Sequence, residues 1–131
     1  MRLLLDTHIL LWVISEPERL EASAREAILD TGNDVLFSAV SIWEIAIKAA
    51  LRRADFSANP DAVLEEARDL GFIELPVTSA TAARVADLPL LHRDPLDRLL
   101  VAQAISEPAI LFTSDSRLLP YSELVRQVSA R

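Results

Sequence analysis

The chain has 131 residues, 51% hydrophobic and 25% charged, a balance that specifies a folded globular protein and not a disordered one. It holds no cysteine and two histidines, which excludes disulfide frameworks, thiol catalysis and zinc sites built on sulfur or nitrogen. A formal net charge of −7 argues against simple electrostatic wrapping of nucleic acid and leaves oxygen as the ligand for any metal.

Leu3-Leu4-Leu5 is a short apolar run ending at Asp6, and a helix is expected from about Thr7 to Ser15. The stretch Leu3–Leu11 is interrupted by Asp6 and His8 and is too short to span a bilayer, so no membrane segment or signal peptide is expected, and the expected location is the cytoplasm. A second helix is predicted over Ala22–Leu29, where Ala24, Ala27 and Ile28 recur at helical spacing. The cluster Thr31-Gly32-Asn33-Asp34 is a turn. Val35-Leu36-Phe37 reads as a buried strand, and Ser38–Leu51 as a long helix. Asn59-Pro60 opens another helix, which Gly71 closes. Phe72–Leu75 is a strand stopped by Pro76, Thr78–Asp87 is helical, and Leu88–Arg93 is a loop. Asp94-Pro95 starts a helix to about Ser106, Ala109–Thr113 is a fourth strand, and Val125–Ser129 is a short edge strand. Apolar strands without alternation, separated by helices, specify an α/β fold. The expected architecture is a single domain over residues 1–131, an α/β/α sandwich around a mostly parallel sheet of four or five strands.

Ligands in an open parallel sheet sit outside the carboxyl ends of the strands. Asp6 follows the first strand, and Thr113-Ser114-Asp115 ends and follows the fourth. Glu44 lies near the start of the helix after the second strand, and Asp97 in the first turn of the helix feeding the fourth. All four acids are thus expected on one rim. Between Ile42 and Leu51 the polar residues are Glu44 and Lys48, and Arg52 follows, a spacing of four that puts them on one stripe of a helix expected to be otherwise buried.

Each acid also has a capping reading. Asp6 or Thr7 can cap the first helix, and Ser41-Ile-Trp-Glu44 matches a capping box with Glu44 at its third position. Asp94-Pro95-Leu96-Asp97 is a helix start with Asp94 as cap and Asp97 facing the dipole, and Asp115 or Ser114 can cap a turn before Leu118. Capping, however, is indifferent to whether the acids meet. Four carboxylates on one rim repel one another unless a cation sits among them, and a hard divalent ion such as magnesium takes oxygen ligands. Such a site suits cleavage of a phosphodiester.

At these residues the chain resembles a known family. Leu-Leu-Asp6-Thr7-His8, Ser38-Ala-Val-Ser41-Ile-Trp-Glu44-Ile-Ala-Ile-Lys48, His92-Arg-Asp94-Pro-Leu-Asp97-Arg98 and Thr113-Ser-Asp115 look like a PIN-domain ribonuclease, in an order similar to the VapC toxins of type II toxin–antitoxin systems. The resemblance covers nearly the whole chain. It implies an acidic quartet of Asp6, Glu44, Asp97 and Asp115, holding Mg2+ or Mn2+ for endonucleolytic cleavage of RNA. It further implies a homodimer and a cognate antitoxin that blocks the site. Thr113 resembles the hydroxyl residue that accompanies the last acid. Asp94 matches a position often acidic in this branch, and is secondary because its place before Pro95 suits a cap.

Lys48 and Arg52 extend the Glu44 stripe and are candidate contacts to the substrate backbone, and Arg93 beside the rim is another. For Lys48 the alternative is an ion pair with Glu44 along the helix. Arg98, next to Asp97, faces another side and reads as a surface residue. His8 and His92 are more in keeping with structural roles, and Trp12 and Trp43 with the core, a partner surface being the alternative for both tryptophans. A haloacid-dehalogenase-like phosphatase also gathers carboxylates at strand ends, but it needs an aspartate where His8 stands. A non-catalytic α/β binding module is the remaining alternative.

Overall fold

The structure is a computed structural model that describes residues 1–51 and 58–129. Arg52, one of the expected substrate contacts, lies outside the described residues. In chain order the elements are β1 (Arg2–Leu5), α1 (Thr7–Ser15), α2 (Ala22–Leu29), β2 (Asp34–Ser38), α3 (Ala39–Ala50) and α4 (Pro60–Asp69). They continue with β3 (Ile73–Leu75), α5 (Ser79–Arg84), α6 (Pro95–Ser106), β4 (Ile110–Thr113) and β5 (Val125–Gln127). Short 3-10 segments cover Pro17–Arg19, Val85–Asp87 and Ser116–Tyr121.

The five strands form one sheet in the order β3-β2-β1-β4-β5, and every pair is parallel. Successive residues of β1 point to opposite faces, and both faces are covered. Leu3 and Leu5 join a core with Ile9, Ala24, Phe37, Ile45 and Val63, from α1–α4 and β2. Leu4 joins a second core with Leu36, Leu100, Val101, Ala104 and Leu111, formed largely by α6 against the sheet. The unbroken apolar runs follow directly from this, because a strand buried on both sides has no polar face to alternate with.

Helix ends follow their sequence signals. Gly71 has a φ of 81°, a conformation that a side chain disfavours, and it turns the chain from α4 into β3. Asn59 caps α4 by accepting from the N–H groups of Asp61 and Ala62, and Asp94 caps α6 by accepting from that of Leu96. The capping box expected at Ser41 and Glu44 does not form. The helix begins one turn earlier, with Ser38 as its cap accepting from Val40 N–H, so Glu44 sits in the second turn with its side chain free for other partners.

Nor is α3 buried all round. Trp43 is 57% exposed and Leu51, just past its end, 66% exposed, with Ile47 also exposed between them. Trp43 is therefore a surface residue and not part of the core. Trp12 is half-buried against the first core, with the Arg19 guanidinium 4.7 Å above its ring.

Candidate active site

The sheet order places β1 at the point of reversal. From β1 the chain moves outward through β2 and β3 on one side, and β4 and β5 occupy the other. A crevice opens at the carboxyl ends of strands at such a point, because the crossovers leave in opposite directions. Asp6 follows β1 and Asp115 follows β4, and the Asp6 backbone N–H donates to Phe112 O across this junction.

A cavity of about 420 Å³ lies there, lined by Asp6, Thr7, His8, Glu44, Lys48, Asp94, Asp97, Ser114, Asp115, Ser116 and Arg117. The four acids singled out in the sequence thus share one cavity, although they come from four separate segments. Of the proposed substrate contacts, Lys48 lines it, whereas Arg93 is exposed and stands outside the lining.

Asp6 is 4% exposed and held at both oxygens. Its Oδ1 accepts from Ile9 N–H at 2.9 Å, the helix cap expected at this position, and its Oδ2 accepts from the Thr113 hydroxyl. Capping and site geometry are therefore compatible, since a carboxylate has lone pairs enough for both. Burial raises the Asp6 carboxyl above its ordinary range, against the lowering effect of the Thr113 and Ile9 hydrogen bonds.

Glu44 is fixed from two sides. The Thr7 hydroxyl donates to its Oε1 at 2.8 Å and also lies 3.1 Å from Ser41 Oγ, while Lys48 Nζ stands 2.9 Å from its Oε2. Asp97 is 3.0 Å from His92 Nε2. Burial pushes its carboxyl up to about 6, joined by the charges of Asp94, Asp6 and Glu44 and opposed by the His92 hydrogen bond. Asp115 is the contrasting case: Arg117 grips it through Nε and Nη2 at 2.8–3.2 Å and holds its carboxyl below the usual carboxylate range. Asp115 also caps the following 3-10 segment through Arg117 N–H.

Three residues that bind or approach the acids were not singled out from the sequence as parts of the site. Thr7 and Arg117 each bind one of the acids directly, and His92, read as structural, stands 3.0 Å from Asp97 and 3.6 Å from Asp115. The available signals were local: Thr7 adjoins Asp6, Arg117 lies two residues past Asp115, and His92 lies two before the Asp94 cap. The arginine at 98 has a different task, donating to the carbonyls of Val85, Leu88 and Pro89.

Oxygen donors from separate elements, with buried carboxyls pushed upward by their surroundings and by each other, are the donor set of a hard divalent cation. One ligand atom each from His92, Asp94 and Asp97 also lies within 4.8 Å of the others. The residues present fit such an ion.

The family model of the PIN domain matches residues 3–124. The chain is 32% identical over 120 residues to Ribonuclease VapC22 of Mycobacterium tuberculosis, a match covering 88% of each. Its fold is similar to that in the crystal structure of VapBC2 from Rickettsia felis bound to a DNA fragment from their promoter, with a TM-score of 0.68 at 16% identity over 98% of this chain and 100% of that one. It is also similar to FitAcB from Neisseria gonorrhoeae, with a TM-score of 0.58 at 25% identity over 94% of this chain and 95% of that one. The chain belongs to the PIN-domain family, in its VapC-like branch.

Proposed function

We propose that this protein is a Mg2+- or Mn2+-dependent endoribonuclease and the toxin of a toxin–antitoxin pair, with the whole chain forming one catalytic domain. The observation that carries the reading is the meeting of Asp6, Glu44, Asp97 and Asp115 around one cavity at the sheet's switch point. The relative named a ribonuclease supports RNA as the substrate.

Asp6, Glu44, Asp97 and Asp115 are the residues that would hold the ion. When bound, such an ion stabilises charge on a phosphodiester and activates a water. The chain's own part is preorganisation. Thr113 and Ile9 N–H fix the Asp6 carboxylate, and Thr7 and Lys48 fix Glu44, so both acids meet a ligand without first being ordered. Lys48 and Arg117 line the cavity and provide positive charge for phosphate oxygens, the lysine as a point charge and the arginine as a fork. Arg93 extends that role outside the cavity, and Arg52 is proposed for it on its sequence spacing from Glu44 and Lys48 alone. Thr113 acts through Asp6, and Asp94 chiefly as the cap of α6.

The partners of this reading are an RNA substrate, a cognate antitoxin and a second copy of the chain. The uncovered apolar strip of Trp43, Ile47 and Leu51 supports a protein partner on α3, since contiguous exposed apolar surface marks interaction sites. No helix among the described residues is long and apolar enough to cross a membrane, and the cytoplasm is the proposed location.

The test is cleavage of single-stranded and structured RNA by the full chain with Mg2+ or Mn2+. Cleavage is expected, with loss of more than about 100-fold in Asp6→Asn and Asp97→Asn, exceeding what even outer partners of a metal site cost. Cutting that persists in chelator, or unchanged in both variants, overturns the proposal. Hydrolysis of a small phosphomonoester without RNA cleavage overturns it in favour of a phosphatase.

A further inference from the structure

His92 lies outside the acidic quartet, yet it touches two of its members. Its side chain is 9% exposed, and its Nε2 stands 3.0 Å from Asp97 Oδ2 and 3.6 Å from Asp115 Oδ2. Ionised carboxylates only accept hydrogen bonds, so a nitrogen facing two of them carries its proton and donates. The backbone behind the ring is held as well. Tyr121 Oη accepts the His92 N–H at 2.8 Å and the Leu91 N–H at 3.2 Å. Arg98, the residue after Asp97 on α6, donates to Pro89 O at 3.0 Å and Val85 O at 3.1 Å, and reaches Tyr121 Oη at 3.4 Å. The loop before α6 is therefore stapled to the helix that carries Asp97 and to the 3-10 segment that follows Asp115.

We propose that His92 is a positioning residue: its Nε2–H holds Asp97 Oδ2 and sets the spacing of Asp97 from Asp115, so that both carboxylates are aimed before a cation arrives. The inference rests on the cation-binding reading of the four acids. A rival role is direct ligation, since His92, Asp94 and Asp97 can present three atoms within 4.8 Å of one another. That role requires Nε2 to give up its proton and break its bond to Asp97. The observed geometry satisfies the hydrogen bond instead. Outer partners that orient carboxylate ligands typically change metal affinity by about 10–100-fold when removed.

The test is Mn2+ binding to the full chain without RNA, followed by the spin-resonance signal of free Mn2+. His92→Ala is expected to weaken binding about 10–100-fold. His92→Gln, whose amide N–H reaches a similar distance along the side chain, is expected to restore most of the affinity. Spin-echo spectra of the Mn2+-loaded wild type are expected to show no directly bound nitrogen. Wild-type affinity in His92→Ala overturns the proposal, as does equal weakening in His92→Gln when its thermal melt matches that of the wild type. A directly bound nitrogen overturns it in favour of ligation. Failure of the wild type itself to bind Mn2+ overturns the cation reading beneath it, an outcome visible before any variant is measured.

Discussion

Two cavities lie at opposite ends of the sheet, and the larger is not the one that gathers the acids. Beyond the amino ends of β2 and β3, a space of about 530 Å³ is bounded mainly by apolar residues such as Val13, Leu20, Ile28, Val35 and Phe72, with Arg25, Asp30 and Asp34 at its edge. At the carboxyl ends, about 420 Å³ is lined almost wholly by polar residues, five of them carboxylates. Parallel strands bring this asymmetry about. Every strand delivers the following loop or helix start to the same rim, so side chains that accept from helix N–H groups accumulate there. The opposite end receives chain arriving from helix C-termini, and the space there is bounded mainly by apolar side chains. Volume alone favours the apolar end; donor type and mutual geometry favour the acidic one.

The contrast is broken most strongly by cutting into the apolar end. Leu20→Ala removes a fully buried side chain from that cavity's wall and is expected to cost about 2–5 kcal/mol of stability in a denaturant titration. Mn2+ affinity, measured where the variant is still folded, is expected to remain at the wild-type value. A loss of Mn2+ affinity in the folded variant would show that the two ends are coupled.

A smaller effect sharpens the polar end. The Asp97 carboxyl stands at about 6 against an ordinary 3.8, so between those values the folded chain binds more protons than the unfolded one. Stability then falls as pH rises through that window and is lowest from this group above about 6. Asp6, also raised, acts in the same direction, whereas Asp115, lowered, contributes stability that is lost only on acidification below the ordinary carboxylate range. In chelator, the melting temperature of the wild type is expected to rise relative to that of Asp97→Asn as pH is lowered from 7 to 5. A difference that is flat or of opposite sign would mean that Asp97 is not crowded by burial and like charge.

The smallest effect concerns Lys48. Its ion pair with Glu44, four residues apart on α3, is worth only about 0.2–0.5 kcal/mol, so Lys48→Ala is expected to melt nearly as the wild type does. Its expected consequence is a raised KM for RNA, with a modest fall in kcat because Glu44 loses one of the two contacts that fix it. An unchanged KM would confine Lys48 to the ion pair.

Much of the fold was legible in the sequence because its signals are local. The runs at Leu3–Leu5 and Val35–Phe37 declare strands buried on both faces, and Asp94-Pro95 and Gly71 mark helix ends whose geometry needs those residue types. The rim position of the acids was legible because each follows a strand or opens a helix, and a parallel α/β pattern brings those places to one edge of the sheet. What was not legible depends on contacts between distant segments. Glu44 also matches a capping box in the sequence, and only the fold brings Thr7, from α1, to its carboxylate. Trp43 reads as core because hydrophobicity does not say which face of a helix stays uncovered. His92 reads as structural because its contacts to Asp97 and Asp115 depend on a loop held by Tyr121 and Arg98.

The central claim is that Asp6, Glu44, Asp97 and Asp115 form one cation site. Anomalous diffraction from crystals of the full chain soaked in Mn2+ tests it directly. The account requires a manganese peak within the cavity at the carboxyl ends of β1 and β4, with oxygens of these acids in its coordination shell. A peak only at surface carboxylates elsewhere, or none at saturating Mn2+, would contradict it.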